Sequence, residues 1–261
     1  MQDNEKVREE IWAELEKELL TSERPSVYFE KMRETQQLDA WFPELKALYG
    51  VQQNQFQHLE GDAWQHTMLV LDEAAKRRET VKYPLGFMMS ALCHDFGKAV
   101  CTTVSPDGVI HSYHHETEGL APVRMFLDRL TEDDNLKEYV LNMTELHMEP
   151  NKLANAGSKL KKTNKLFDMS VEPYDLIQLA VCDGLGKLPQ YDDTEAFLLD
   201  RYSKYREIMQ RPFVTGSDLL QAGIEPGEVM SETLEYAHKL RLAGVDKENA
   251  LEQSLAYARG R

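Results

Sequence analysis

Residues 84–98, PLGFMMSALCHDFGK, decide how this chain is read. Pro84 suits the first turn of a helix. The LGFMMSALC that follows is apolar around its whole circumference, and a helix with no polar face is buried at the centre of a bundle. The apolar run ends on His94-Asp95. An ionisable pair closing such a helix carries a desolvation cost unless both groups are compensated, and a metal ion compensates them directly. Gly97 is expected to turn the chain just past the pair, in the left-handed conformation common at helix ends.

Working outward, the pattern predicts an all-α fold. Residues 5–20 place Ile11, Leu15 and Leu19 at helical spacing beside Trp12. Ser26 to Leu38 reads as a second helix and Pro43 to Leu48 as a short third. Asp62 is a candidate N-cap for a helix through Arg78, with Trp64, Met68, Leu71 and Ala75 on one side. Ser105-Pro106-Asp107-Gly108 is a turn, which makes 99–114 a loop or small hairpin. Helices are predicted near 115–130, 134–148, 173–186 and 193–210. No alternating βαβ pattern calls for a parallel sheet. From 212 the chain is punctuated by Pro and Gly, and a last helical pair fills 226–260. The expected organisation is an N-terminal helical segment 1–39, a helical bundle 40–210 and a C-terminal helical tail 211–261.

Around His94-Asp95 stand further inward-facing ligand types. His66 lies beside Leu69 and Val70, where it is either a hydrogen-bonded core histidine or a ligand. Asp183 shares a face with Leu176, Leu179 and Ala180, and a carboxylate there needs a cation, a proton or several hydrogen bonds. His147 shares a face with Leu136, Val140 and Met143, and His115 begins a helix. His66, His94, Asp95 and Asp183 would make one metal site with open positions. His115 and His147 would hold a second ion bridged by Asp95, or bind phosphate oxygens. Histidine and aspartate without thiolate suit Mn, Fe, Co, Ni, Zn or Mg, as one ion or two. Such an ion lowers the pKa of a bound water towards neutrality, which points to hydrolysis of a phosphate ester. Lys98, one turn past His94, is read either as a phosphate contact or as an exposed lysine on the helix dipole. Asp95 is the candidate general base.

Composition narrows the classes. The chain has 261 residues, 42% hydrophobic and 29% charged, with a net charge of −15. That balance suits a globular protein and argues against a generic nucleic-acid coat, whose binding rests on phosphate neutralisation. Lys152, Lys159, Lys161, Lys162 and Lys165 occur with no acid between them, either as a solvated mobile loop or as a local contact for an RNA end. No window approaches a membrane span, and the charged N-terminus lacks the apolar stretch of a signal, so a cytoplasmic location is expected. Cys93, Cys101 and Cys182 show no CxxC spacing and read as small buried residues. GxxxxGK[ST], GxGxxG and GxSxG are absent.

The order His66, His94-Asp95, Asp183 resembles the HD superfamily of metal-dependent phosphohydrolases. FPELKALYGVQQNQFQHLEGDAWQHTMLVLD, LCHDFGK, HHETEG, LHMEP and RPFVTGSDLLQAGIEPGEV look like the HD-domain half of bacterial CCA-adding tRNA nucleotidyltransferases, from about Pro25 onward. The resemblance implies an HD helical bundle with a helical tail. It implies His66, His94, Asp95 and Asp183 as metal ligands, with His115 and His147 at the family's HE and HM positions and His58 at a histidine before the first ligand helix. It implies phosphatase, 2′-nucleotidase and 2′,3′-cyclic phosphodiesterase activities on nucleotides or RNA ends. Only about 24 residues precede Pro25, so the family's nucleotide-adding head is not expected here. The tail departs from the family at Glu228, where proline is usual, and an acid there works against tRNA contact. The leading expectation is therefore a metal-dependent phosphohydrolase with substrate-contacting residues Lys98, His115, His147 and His58. The alternative is a non-catalytic RNA-binding or assembly subunit. A third reading, hydrolysis of a signalling or deoxynucleotide triphosphate, shares the metal.

Overall fold

The computed structural model describes residues 2–54, 58–188 and 194–260. Among them the fold is all-α, with one two-stranded hairpin. In chain order the helices are α1 (Gln2–Thr21), α2 (Ser26–Glu34), α3 (Leu38–Trp41), α4 (Pro43–Lys46), α5 (Ala63–Arg77), α6 (Pro84–Cys93) and α7 (Lys98–Cys101). Strands β1 (Thr103–Val104) and β2 (Ile110–His111) pair antiparallel, Thr103 opposite His111. Then come α8 (His115–Glu118), α9 (Leu120–Leu130), α10 (Asp134–Leu146), α11 (Met148–Asn155), α12 (Leu160–Met169), α13 (Pro173–Leu185), α14 (Glu195–Gln210), α15 (Gly216–Gln221), α16 (Glu228–Leu242) and α17 (Lys247–Arg259). The first residue of the helix expected at 193–210 lies outside the described residues. No described helix is long and apolar enough to cross a membrane.

The apolar helix α6 is central. It packs against α1, α5, α10 and α13, and every residue from Gly86 to Cys93 is buried. Trp64, Phe87, Phe96 and Phe126 fill the space around it at 0–1% exposure, each burial stabilising by roughly 1.5–3 kcal/mol. Leu15, Leu19 and Phe29 belong to this same core. Arg78 holds α1 in place by donating to the carbonyls of Leu19 (3.3 Å) and Ser22 (2.6 Å). A separate small core of Val214, Leu219, Met230, Ala237 and Ala250 holds α15, α16 and α17 together. Asp62 caps α5 by accepting from the Gln65 amide at 2.9 Å, as its position predicts.

Five local expectations are corrected. The helix begun at Ser26 stops at Glu34 rather than Leu38, because Gln36 takes a left-handed turn (φ 58°) and the Gln37 amide closes back on the Met32 carbonyl at 2.8 Å. The helix expected at 115–130 breaks at Gly119, between α8 and α9. The one expected at 134–148 restarts after His147, where Pro150 has no amide hydrogen to continue the ladder. The lysine-rich stretch is not a loop: Lys152 lies on α11 and Lys161, Lys162 and Lys165 on α12. Gly97 is not left-handed but sits at φ −62°. It is needed for closeness instead: a Cβ there would lie 2.0 Å from the His115 carbonyl oxygen.

Candidate metal centre

Each predicted ligand arrives from a different part of the bundle. His66 lies on α5, Asp183 near the end of α13, His94 and His147 just past the ends of α6 and α10, and His115 at the start of α8. All are buried: His66, His94 and His147 at 0%, Asp95 at 1%, Asp183 at 3% and His115 at 6%. The carbonyl of His115 also accepts from the Gly119 amide at 2.9 Å. Gly97 thus presses the His-Asp turn directly against the backbone that carries His115.

Helix ends explain how the imidazoles are aimed. The last carbonyls of a helix have no intrahelical partner. His94 Nδ1 donates to the Ala91 carbonyl at 2.9 Å, and His147 Nδ1 to the Thr144 carbonyl at 2.7 Å. His115 Nδ1 donates to the Ser112 carbonyl at 2.9 Å. For that bond the chain turns through a left-handed His114 (φ 61°), a conformation that costs about 1–2 kcal/mol outside glycine. His66 differs: its Nδ1 faces a carboxylate, Glu60 Oε1, at 3.1 Å. Glu60 also accepts from His58 Nδ1 at 2.5 Å and from the Leu188 amide at 2.8 Å.

With every Nδ1 turned outward, the four Nε2 atoms converge. His66 and His94 meet Nε2 to Nε2 at 3.4 Å, and His115 and His147 at 3.2 Å. Carbonyl oxygens accept only, so the Nδ1 atoms of His94, His115 and His147 carry the hydrogens, and in the corresponding neutral tautomer each ring turns its Nε2 lone pair inward. Two lone pairs at these distances repel unless a proton or a cation lies between them. Burial, and then the His94 and His115 charges, push His147 well below the usual histidine range, which disfavours the proton there.

The carboxylates complete the set. Asp183 Oδ1 lies 3.0 Å from His66 Nε2. Asp95 spans both imidazole pairs: Oδ1 is 3.2 Å from His115 Nε2 and 3.9 Å from that of His147, and Oδ2 is 3.3 Å from His94 and 3.6 Å from His66. Two triads result, His66–His94–Asp183 and Asp95–His115–His147, each with its ligand atoms within 4.8 Å of one another. These buried groups could hold a metal ion. The donor set fits a divalent ion of the nitrogen- and oxygen-binding kind. Among the described residues no cysteine joins a triad. Burial pushes the Cys93 thiol well above its usual range and raises that of Cys182.

Two lysines flank the centre. Lys98 is not the exposed residue one reading allowed: it is 7% exposed, with Nζ 2.6 Å from Asp95 Oδ2 and 2.6 Å from Gln53 Oε1. Lys187 Nζ lies 2.8 Å from Asp183 Oδ2. Burial alone would raise both aspartates. For Asp95, Lys98, His94 and His115 outweigh it, and for Asp183, Lys187, His66 and His94 do, so both carboxyls are held well below the usual range. Groups that favour the carboxylate make Asp95 a weaker proton acceptor, which counts against the general-base role expected of it.

The sequence reading named neither Glu60, Gln53 nor Lys187. Lys187 had a legible signal, since it stands four residues after Asp183, just past the end of α13. Glu60 and Gln53 lie in irregular chain, where no periodicity shows which way a side chain points. His58 meets the centre through Glu60 and an edge contact with the His66 ring, centroids 5.1 Å apart, and the ligand atoms of His58, Glu60 and His66 also lie within 4.8 Å of one another.

Proteins named multifunctional CCA protein are similar to this chain. That of Actinobacillus pleuropneumoniae serotype 5b (strain L20) is 35% identical over 146 residues, 56% of this chain and 34% of that protein. That of Pasteurella multocida (strain Pm70) is 31% identical over 233 residues, 86% of this chain and 53% of that protein. That of Tolumonas auensis (strain DSM 9187 / NBRC 110442 / TA 4) is 32% identical over 180 residues, 67% of this chain and 41% of that protein. The chain thus spans about a third to a half of the length of these curated relatives. No family model matches it. The similarity fits the HD half of CCA-adding enzymes, in agreement with the resemblance read from the motifs.

Proposed function

From this kinship with the HD half of CCA-adding enzymes, we propose that the chain is a metal-dependent phosphohydrolase acting on a nucleotide or other small phosphate ester. The observation that carries the reading is the convergence of four imidazole Nε2 atoms on two buried aspartates. His66, His94 and Asp183 would hold one divalent ion and His115 and His147 a second, with Asp95 shared. Such an ion lowers the pKa of a coordinated water and offsets phosphoryl charge. The chain's own groups then orient and neutralise. Lys98, on the Asp95 oxygen that also faces His94, and Lys187, on the Asp183 oxygen opposite the one that faces His66, would contact the phosphoryl oxygens, where fixed cations stabilise charge accumulating in the transition state. The water oxygen forms a bond to phosphorus as the ester P–O bond breaks, and the water's proton ends on the departing oxygen or in solvent. Glu60 holds His66 in its ligating orientation through Nδ1.

Purified protein supplied with Mn, Ni, Co or Mg is expected to hydrolyse members of a panel of phosphomonoesters and 2′,3′-cyclic nucleotides. Inactivity across that panel with every metal would sink the proposal.

The exposed lysines of α12, Lys161, Lys162 and Lys165, favour a second reading, in which the chain holds an RNA 3′ end without cutting it. That reading expects salt-sensitive tRNA binding that survives Asp95→Ala. No tRNA binding at low salt would exclude it.

A further inference from the structure

Of the large apolar side chains exposed among the described residues, Tyr113 (68%) and Leu59 (67%) are the most exposed. Both border the metal centre in sequence. Leu59 lies between His58 and Glu60, and Tyr113 lies two residues before His115. Apolar groups so exposed are ordinary when scattered singly. Here they stand at the two ends of one buried polar cluster: Leu59 beside the partner of His66, Tyr113 beside His115.

Tyr113 is also held in place. Its ring stacks on that of His111, centroids 4.7 Å apart and planes 12° apart. His111 is pinned by the hairpin, opposite Thr103. Between them in sequence, the Ser112 hydroxyl meets the Thr102 hydroxyl at 2.7 Å, and the Ser112 carbonyl accepts from His115 Nδ1. The left-handed turn at His114 then sends His115 inward while Tyr113 stays outside. One short segment therefore carries a ligand of the centre and a pre-stacked, exposed aromatic pair.

We propose that Tyr113, backed by His111, is a stacking platform for the nucleobase of a nucleoside phosphate whose phosphate lies at the metal centre. This deepens the phosphohydrolase reading and rests on it for the placement of the phosphate. The chemistry selects a planar ring rather than an aliphatic group. Aromatic side chains bind bases through their π-faces and tolerate any sequence, and a ring already packed on one side loses little freedom on binding.

The test is calorimetric titration of the metal-loaded chain with a purine nucleoside monophosphate and, separately, with inorganic phosphate. Kinetics on nucleoside and non-aromatic phosphomonoesters run alongside. Wild type is expected to prefer the nucleotide over phosphate. Tyr113→Ala should erase about tenfold of that preference and raise KM for the nucleoside ester more than it changes kcat. Tyr113→Phe should retain the preference, and His111→Ala should weaken it in part. An equal preference in wild type and Tyr113→Ala, or none in wild type, overturns the platform. So does a change confined to self-association in sedimentation. Turnover without base preference would remove the platform and leave the hydrolase. Base preference without turnover of any ester would remove the hydrolase and leave the platform.

Discussion

Helix α13 carries a buried aspartate near each end, and the two are satisfied in opposite ways. Asp175, at its start, is 0% exposed and accepts from the Tyr139 hydroxyl at 2.7 Å and from the amides of Lys82 and Tyr83 at 3.0 and 3.2 Å. Neutral donors supplied by the protein complete it. Asp183, eight residues on, faces Lys187 with one oxygen and His66 Nε2 with the other. His66 already turns its Nδ1 to Glu60, and its Nε2 stands 3.4 Å from that of His94. Protein groups reach both oxygens here too, but they are an ammonium and an imidazole that also stands against His94 and Glu60, not amides and a hydroxyl. A buried carboxylate is therefore read as a candidate ligand from the chemistry of its neighbours, and burial alone does not distinguish the two.

The comparison can be broken from either end. At the Asp183 end, Glu60→Gln replaces the carboxylate behind His66 with a neutral amide. Metal affinity is expected to fall about 10- to 100-fold, measured by competition with a chelating dye, while the thermal transition changes little. An unchanged affinity would mean that His66 is not a ligand. At the Asp175 end, Asp175→Ala strands a buried hydroxyl and two amides, at about 1 kcal/mol or more for each lost partner. The expected loss is about 3 kcal/mol, or roughly 10 °C in Tm, with bound metal retained.

A partly exposed carboxylate supplies the mildest contrast. Asp218 closes a capping box with Thr215 at the start of α15 and meets Lys247 at 2.9 Å. Lys247 first, then Thr215, lower its pKa from 3.8 to about 2. Because the folded value lies below the unfolded one, its contribution is present above about pH 4 and is lost as pH falls toward 2. The difference in Tm between wild type and Asp218→Asn should therefore be small at neutral pH and vanish near pH 2. A difference that persists there would assign the effect to packing.

The Asp183 side of this contrast was legible in the sequence. The uninterrupted apolar run of α6 marked the centre of the bundle, and helical spacing placed His66, His147 and Asp183 inward. A second set of His115 and His147 bridged by Asp95 was one of the expected alternatives, but which oxygen of Asp95 faces which imidazole pair was not legible, because it depends on how the helices meet. Glu60 was hidden for a similar reason, lying in irregular chain with no period to orient it. Gly97 was recognised as special for the wrong property. A left-handed turn is a local demand that sequence can suggest, whereas close approach to the His115 carbonyl is a contact between segments that sequence does not display. Asp175 shows the reverse limit: its partners Tyr139, Lys82 and Tyr83 are remote in sequence, so nothing local set it apart from Asp183.

The most direct test of the account is the metal content of purified wild type, Asp183→Ala and Asp175→Ala, by elemental analysis after loading and desalting. The account expects one or two divalent ions per chain in wild type and in Asp175→Ala, and a clear loss in Asp183→Ala. Equal metal in all three, or none in wild type after loading, would contradict it.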